Sequence, residues 1–287
     1  MANSPTHRFG QIIGDVLEAA LKEPLAEVAK RHNLYLDCKC PRAARGGNSK
    51  VGWNDHKGNR HDLDYVLEAG GTDAKVGRPK AFVEIAYRRY TKHSRNKAQE
   101  IQGAIAPLFQ TYAHDHPFIG VVLAGVFTEG SLTQLRSHGF GVLYMPFESI
   151  VEAFKVVGID AHFDEDSVDA DVQRKVDAWD KLPKDATAKV GAAMRKIESA
   201  AFATFVAELE KALNRTIASV FVLALHGQTQ ELANVESAIA FIEGFDEAKS
   251  GGKFVRYEVN IRYTNKDEIR GTFESKVEAV KFLRALA

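Results

Sequence analysis

Residues 118–127, FIGVVLAGVF, are apolar for ten consecutive positions. The run is shorter than the ~18 residues that a membrane helix needs, so it reads as a strand covered on both faces. A strand of that kind demands a layer of helices on each side of its sheet. The rest of the first half supplies them. Apolar residues at helical spacing (Ile12, Ile13, Val16, Leu17, Ala20, Leu21) predict a helix over 9–30, kinked or broken at Pro24. Residues 33–37 are a short strand or turn, and 38–60, rich in Gly, Asn, Lys and Arg, a loop or exposed hairpin. LDYVLE (63–68) and AFVEIAY (81–87) are strands separated by Gly70-Gly71. A helix capped by Ser94 runs to about residue 105, close to Pro107; 130–139 is a helix, 142–145 a strand and 147–157 a helix. This order implies an α/β fold with a mixed central sheet flanked by helices.

At 287 residues the chain exceeds the usual size of one domain. Residues 1–158 hold the sheet just outlined. Residues 159–185 are acidic and read as a linker with helical content, two helices are expected to fill 186–214, and 159–214 together make the linker region. Residues 215–287 make a smaller α+β module: a strand at 217–225, a helix at 234–243, a hairpin at 254–274 turning at Asn265-Lys266, and a final helix at 275–286. No internal repeat emerges. The module suits dimerisation or target recognition and offers no chemistry of its own.

The formal net charge is zero, but the charges are unevenly spread. Residues 31–60 hold seven Lys/Arg against two acids, and 75–97 hold eight against Glu84 alone. Residues 148–185 reverse the balance, with eleven Asp/Glu against five Lys/Arg. Clustered cations are what a polyanion surface needs, whatever the whole-chain sum; two solvated charged faces are the alternative. The only cysteines, Cys38 and Cys40, lack the second ligand pair of a structural zinc site. MANSPTHRFG has no apolar core of the secretory kind, so a reducing, cytoplasmic setting without membrane contact is expected. No glycine-rich phosphate loop follows any strand, which argues against a nucleotide-cofactor enzyme.

Chemistry concentrates between His61 and Gln102. Asp64 opens one strand and Glu84 sits inside the otherwise apolar AFVEIAY. A buried carboxylate needs compensation. A divalent cation between Asp64 and Glu84 would provide it, since magnesium binds through one or two carboxylates plus a substrate phosphate; an ion pair with Arg88, on the same strand face, is the competing reading. Asp62 shares a face with Asp64 and competes with it as the ligand.

DYVLE, a glycine turn and FVEIAYRRYTKHSRNKAQEI resemble the core of the PD-(D/E)XK nucleases, the family of restriction endonucleases. The resemblance spans residues 9 to about 157. It implies a restriction-endonuclease-like fold and Mg2+-dependent hydrolysis of DNA, with Mn2+ able to substitute. Asp64 and Glu84 would be the metal-binding acids, Ile85 would lend its carbonyl, and Glu18 would be a further acid on the first helix. Ala86 stands where the family has a lysine. Lys97 is the candidate replacement, with Arg88 its rival, and Glu100 and Gln102 would complete the shell. Arg42, Arg45, Lys50, Arg89, Lys92 and Arg95 would contact DNA. A restriction or defence role, a homodimer, and a cognate methyltransferase or helicase are what the family further implies. Because of Ala86, a DNA-binding or scaffold protein that does not cut is the alternative.

Overall fold

Ser4 accepts the His7 backbone N–H at 3.2 Å and Pro5 takes the first helical position, and from there α1 (Pro5–Arg31) runs without a break. Its buried stripe is Phe9, Ile12, Ile13, Val16, Leu17, Ala20, Leu21, Leu25, Val28 and Ala29. The break expected at Pro24 does not occur. Proline has no N–H for the Ala20 carbonyl four residues back, and Arg195 donates to that carbonyl instead, at 3.2 Å.

This is a computed structural model, and it describes residues 4–164, 166–224, 229–248 and 254–286, with the side chains of 91–95 excepted. The chain divides into two units, Met1–Thr111 with Pro117–Glu210, and Tyr112–His116 with Lys211–Ala287. In the first unit, α1 is followed by β1 (Leu34–Cys38), β2 (Val51–Asn54), β3 (Arg60–Leu63), β4 (Tyr65–Ala69), β5 (Arg78–Arg88), α2 (Thr91–Thr111), β6 (Phe118–Gly125), α3 (Glu129–Ser137), β7 (Gly141–Pro146) and α4 (Phe147–Phe154). A five-stranded sheet has the order β1-β4-β5-β6-β7, antiparallel from β1 to β5 and parallel from β5 to β7. Helices flank it, so the fold is mixed α/β. The apolar run became β6, buried from Ile119 to Gly125. β2 and β3 form a separate hairpin whose Trp53 meets Phe82 of β5 edge-on at 5.6 Å.

The turn into β5 depends on Gly77. A Cβ there would lie 2.4 Å from the Ala69 carbonyl, and the Gly77 N–H donates to Glu68 at 2.6 Å. Helix α2 starts at Thr91, three residues before Ser94, and continues past Pro107 to Thr111.

The two helices expected over 186–214 are present, but the region is no free linker, since residues up to Glu210 belong to the first unit. Residues 159–214 carry α5 (Asp169–Asp180), α6 (Ala186–Ile197) and α7 (Ser199–Leu213); α5 and α6 pack on α1, and α6 also on α4. Most of their described acids face solvent, while Val172, Val176, Val190, Met194, Phe202 and Phe205 are buried. Acidity described the outer face and hid the apolar one.

The second unit holds β8 (Ile217–Ala224), β9 (Thr229–Leu232), α8 (Val235–Gly244), β10 (Tyr257–Tyr263), β11 (Glu268–Phe273) and α9 (Lys276–Arg284). The sheet order is β11-β10-β8-β9, antiparallel throughout. Strand, strand, helix therefore occurs twice, with the two central strands paired. Asn234 and Ser275 cap the two helices alike, accepting the N–H three residues on at 2.8 and 3.3 Å. Ala238 and Ile242 in one helix and Ala279 and Leu283 in the other fill the core. The repeat lives in spacing rather than in residue identity. Among the described residues, no helix is long and apolar enough to cross a membrane.

Candidate active site

The registers of three neighbouring strands converge on one row. β1 and β4 are last paired at Cys38 and Tyr65, and β4 and β5 at Tyr65 and Val83. One step further along both registers lie Lys39, Asp64 and Glu84. β4 ends its pairing there while β5 continues to Arg88 alongside β6 only, and Asp64 takes over as partner of the exposed edge. Its Oδ2 accepts the Ile85 N–H at 2.7 Å. N–H and C=O of one strand residue point to the same side, so the Ile85 carbonyl also faces this opening.

Lys39 Nζ lies 3.2 Å from Asp64 Oδ1 and also donates to Glu18 of α1. Glu18 is held in turn by the Tyr65 hydroxyl, which donates to its carbonyl at 2.7 Å. The Glu84 carboxyl hydrogen-bonds to Asp64 and senses the charges of Lys97 and Lys39. Burial, then the negative charge of Asp64, push the Glu84 pKa up to about 8. Burial also raises Glu18 above the ordinary carboxylate value, against the pull of Lys39. For Lys39, burial acts to lower the pKa, and Glu18 and Asp64 outweigh it, so the ammonium is held charged.

Two carboxylates are in contact, and Glu84 keeps its proton near neutral pH because a second buried negative charge beside Asp64 is costly. Their donors are all oxygen, the chemistry that suits magnesium. The oxygens that would hold such a cation at this opening are those of Asp64, Glu84 and the Ile85 carbonyl, and both Asp64 oxygens are engaged here by the Ile85 N–H and Lys39. Among the described residues there is no cluster of three or more His, Cys, Asp or Glu side chains at metal-holding spacing, so a cation here would draw on backbone, water or substrate oxygens as well.

Of the other residues singled out by sequence, Lys97 acts on Glu84 through its charge, and its Nζ pairs with Glu100 at 3.2 Å; the Glu100 side chain is 61% exposed and points to solvent rather than to the acids. Gln102 accepts from Gln134 of α3 at 3.0 Å, while its own Nε2 is buried without a partner. Arg88 donates to the Tyr87 carbonyl at 2.8 Å rather than pairing with Glu84. Asp62 belongs to the β2–β3 hairpin, tied to Lys50 and Arg60 at 2.9 Å each, and is not part of the row.

The expected DNA contacts change more. Arg42 is a core residue with a fully buried side chain. It donates to Glu68 at 2.6 and 3.0 Å, pairs with Asp37 at 2.8 Å and reaches the carbonyls of Thr72 and Lys75. Arg45 is likewise inward, on Asp37 and on the carbonyls of Cys38 and Cys40. Arg89 stacks over Phe147 at 3.8 Å and donates to the Phe163 carbonyl. These three are therefore not phosphate contacts. Lys50 remains at the surface, its side chain 67% exposed. The side chains of Lys92 and Arg95 lie outside the described residues.

In the sequence Lys39 is one cation among the seven of residues 31–60. No local spacing marks it. Its place follows from the pairing of β1 with β4 across 26 intervening residues, Cys38 to Tyr65, which the sequence alone does not give. Compared with known proteins, the chain matches no family model, no curated protein and no solved structure.

Proposed function

We propose that the chain is a divalent-metal-dependent nuclease of the PD-(D/E)XK kind, acting on DNA. The observation that carries this reading is the row Lys39–Asp64–Glu84 at the point where β4 stops covering β5. The succession of α1, an antiparallel β1-β4-β5 and a parallel β6-β7 with intervening helices supports a restriction-endonuclease-like core.

In this reading Asp64 and Glu84 hold the cation and the Ile85 carbonyl completes the protein's share of its oxygens. The cation, when bound, neutralises charge that develops on the scissile phosphate. Asp64 is fixed for that task by the Ile85 N–H, which leaves its Oδ1 toward Lys39. Lys39 replaces the lysine missing at Ala86. Its ammonium stands beside the acids rather than on β5, where it can donate to the attacking water or to a phosphate oxygen and stabilise negative charge. Glu18 orients Lys39 from α1. Lys97 supplies a second positive charge at Glu84. Backbone phosphates would meet exposed cations such as Lys50 and Lys57 on the hairpin and its turn, since Arg42, Arg45 and Arg89 are committed elsewhere.

The test is cleavage of plasmid and of linear duplex and single-stranded DNA with Mg2+ or Mn2+, comparing the wild type with Asp64→Asn and Glu84→Gln. Cutting that is lost in both variants, with binding retained, supports the proposal. A wild type that binds DNA with a steep salt dependence but never cuts it moves the chain to a binding role. One that does neither removes DNA altogether.

A further inference from the structure

Lys39 is flanked by the two cysteines of the chain, and their sulfurs face one another at 3.9 Å as free thiols. Cys40 is exposed and Cys38 partly buried. The backbone on both sides of Lys39 is pinned by one nitrogen: Arg45 Nη2 donates to the carbonyls of Cys38 at 3.2 Å and Cys40 at 2.9 Å, and to Asp37 at 2.9 Å. The segment 38–40 is thus a held arch with two thiols on it and the site lysine at its centre.

We propose that Cys38 and Cys40 are an oxidation site that closes to a disulfide and thereby withdraws Lys39 from Asp64. The regulatory half of this rests on the nuclease reading above; the modification itself does not. With hydrogen peroxide as oxidant, the Cys40 thiolate attacks one peroxide oxygen, the O–O bond breaks, and a sulfenic acid and hydroxide result. The Cys38 thiolate then attacks the sulfenic sulfur; the S–S bond forms, the S–O bond breaks, and the leaving hydroxide is protonated to water. In sum two thiols and one peroxide give one disulfide and two waters. The order follows from exposure, and burial together with the neighbouring Cys40 raises the Cys38 pKa, which favours Cys40 as the first to react.

Closing the bond brings the sulfurs from 3.9 Å to about 2.05 Å. The two carbonyls are restrained by Arg45, so the adjustment falls on the one residue inside the ring, Lys39. Its contact with Asp64 is 3.2 Å long, and a displacement of about one ångström takes it beyond hydrogen-bond reach. A disulfide that is exposed and held in so small a ring is readily reduced, which makes the change reversible.

The experiment treats the full chain with millimolar hydrogen peroxide and follows three quantities. These are the peptide mass of residues 38–40 without reduction, the rate at which an N-hydroxysuccinimide ester acetylates Lys39, and the rate of DNA cleavage. We expect loss of two hydrogens across Cys38 and Cys40, faster acetylation of Lys39, and cleavage slowed by about 10²-fold or more, the scale of one positioned charge. Dithiothreitol reverses all three, and Cys40→Ser cuts at the wild-type rate and is indifferent to peroxide. Thiols that stay free, or that go to sulfinic acid without cross-linking, overturn the proposal, as does a disulfide that leaves Lys39 acetylation unchanged. A reduced protein that cuts no DNA defeats the nuclease reading alone, because mass and acetylation still decide whether the dithiol closes and moves Lys39.

Discussion

Replacing Arg42 by Ala separates a structural cation from a DNA contact. The guanidinium joins two carboxylates with side-chain exposures of 1% (Asp37) and 0% (Glu68), and also serves the Thr72 and Lys75 carbonyls. Removing it leaves Glu68 with only the Gly77 N–H and Asp37 with only Arg45 among these partners. Breaking a buried pair from one side costs about 3–5 kcal/mol, a large part of the ~5–15 kcal/mol that holds a protein folded. For a unit of this size 1 kcal/mol corresponds to roughly 2–4 °C in Tm, so a fall of roughly 6–20 °C is expected. Arg42→Lys should recover only part of it, since an ammonium cannot form the two-pronged contact with Glu68. Burial already raises the Asp37 pKa against the pull of Arg42 and Arg45. Without Arg42, Asp37 protonates still more readily, and the destabilisation should shrink as pH falls toward 5. The assay is thermal unfolding at pH 5 and pH 8 alongside DNA affinity of the folded fraction. An unchanged Tm with weakened DNA binding would refute the reasoning and return Arg42 to the DNA surface.

Glu84 carries a pH signature in the metal-free protein. Its folded pKa of about 8 exceeds its ordinary 4.5, so the proton it retains stabilises the fold below that ordinary value, and the contribution is lost as pH rises toward 8. The wild type should lose up to about 1.4 kcal/mol per pH unit across this window relative to Glu84→Gln; parallel stability curves for the two would contradict this. In cleavage assays Lys39→Ala should slow the reaction by about 10²–10³-fold with little change in DNA affinity, in line with removal of a preorganised charge. Lys97→Ala should cost less, because its Nζ is shared with Glu100; the reverse ranking would restore Lys97 as the principal cation. Gly77→Ala should destabilise the first unit through its clash with the Ala69 carbonyl, and a wild-type Tm would show that the turn can shift.

Much of the architecture was legible because it is written in local periodicity. The apolar FIGVVLAGVF, the amphipathic α1 and the carboxylate in AFVEIAY each pointed to their element without knowledge of any partner. What escaped depended on long-range contact. Pro24 reads as a breaker until Arg195, on α6, takes up the Ala20 carbonyl. Arg42 and Arg45 read as surface cations until Asp37 and Glu68 enclose them. Residues 159–185 read as a linker because their acids outnumber the few apolar residues, such as Val172 and Val176, that are buried. In the site, Asp64, just ahead of β4, and Glu84, inside β5, were visible as acids beside apolar runs, whereas Lys39 required the register of β1 against β4.

The central claim is that Asp64 and Glu84 jointly hold one divalent cation, and it can be seen directly. Crystals of the full chain soaked in manganese at pH 8 should give a single strong anomalous peak between the two carboxylates, about 2 Å from an oxygen of each, and Glu84→Gln crystals should give none there. A peak seated elsewhere, or the same peak surviving in Glu84→Gln, would contradict the account.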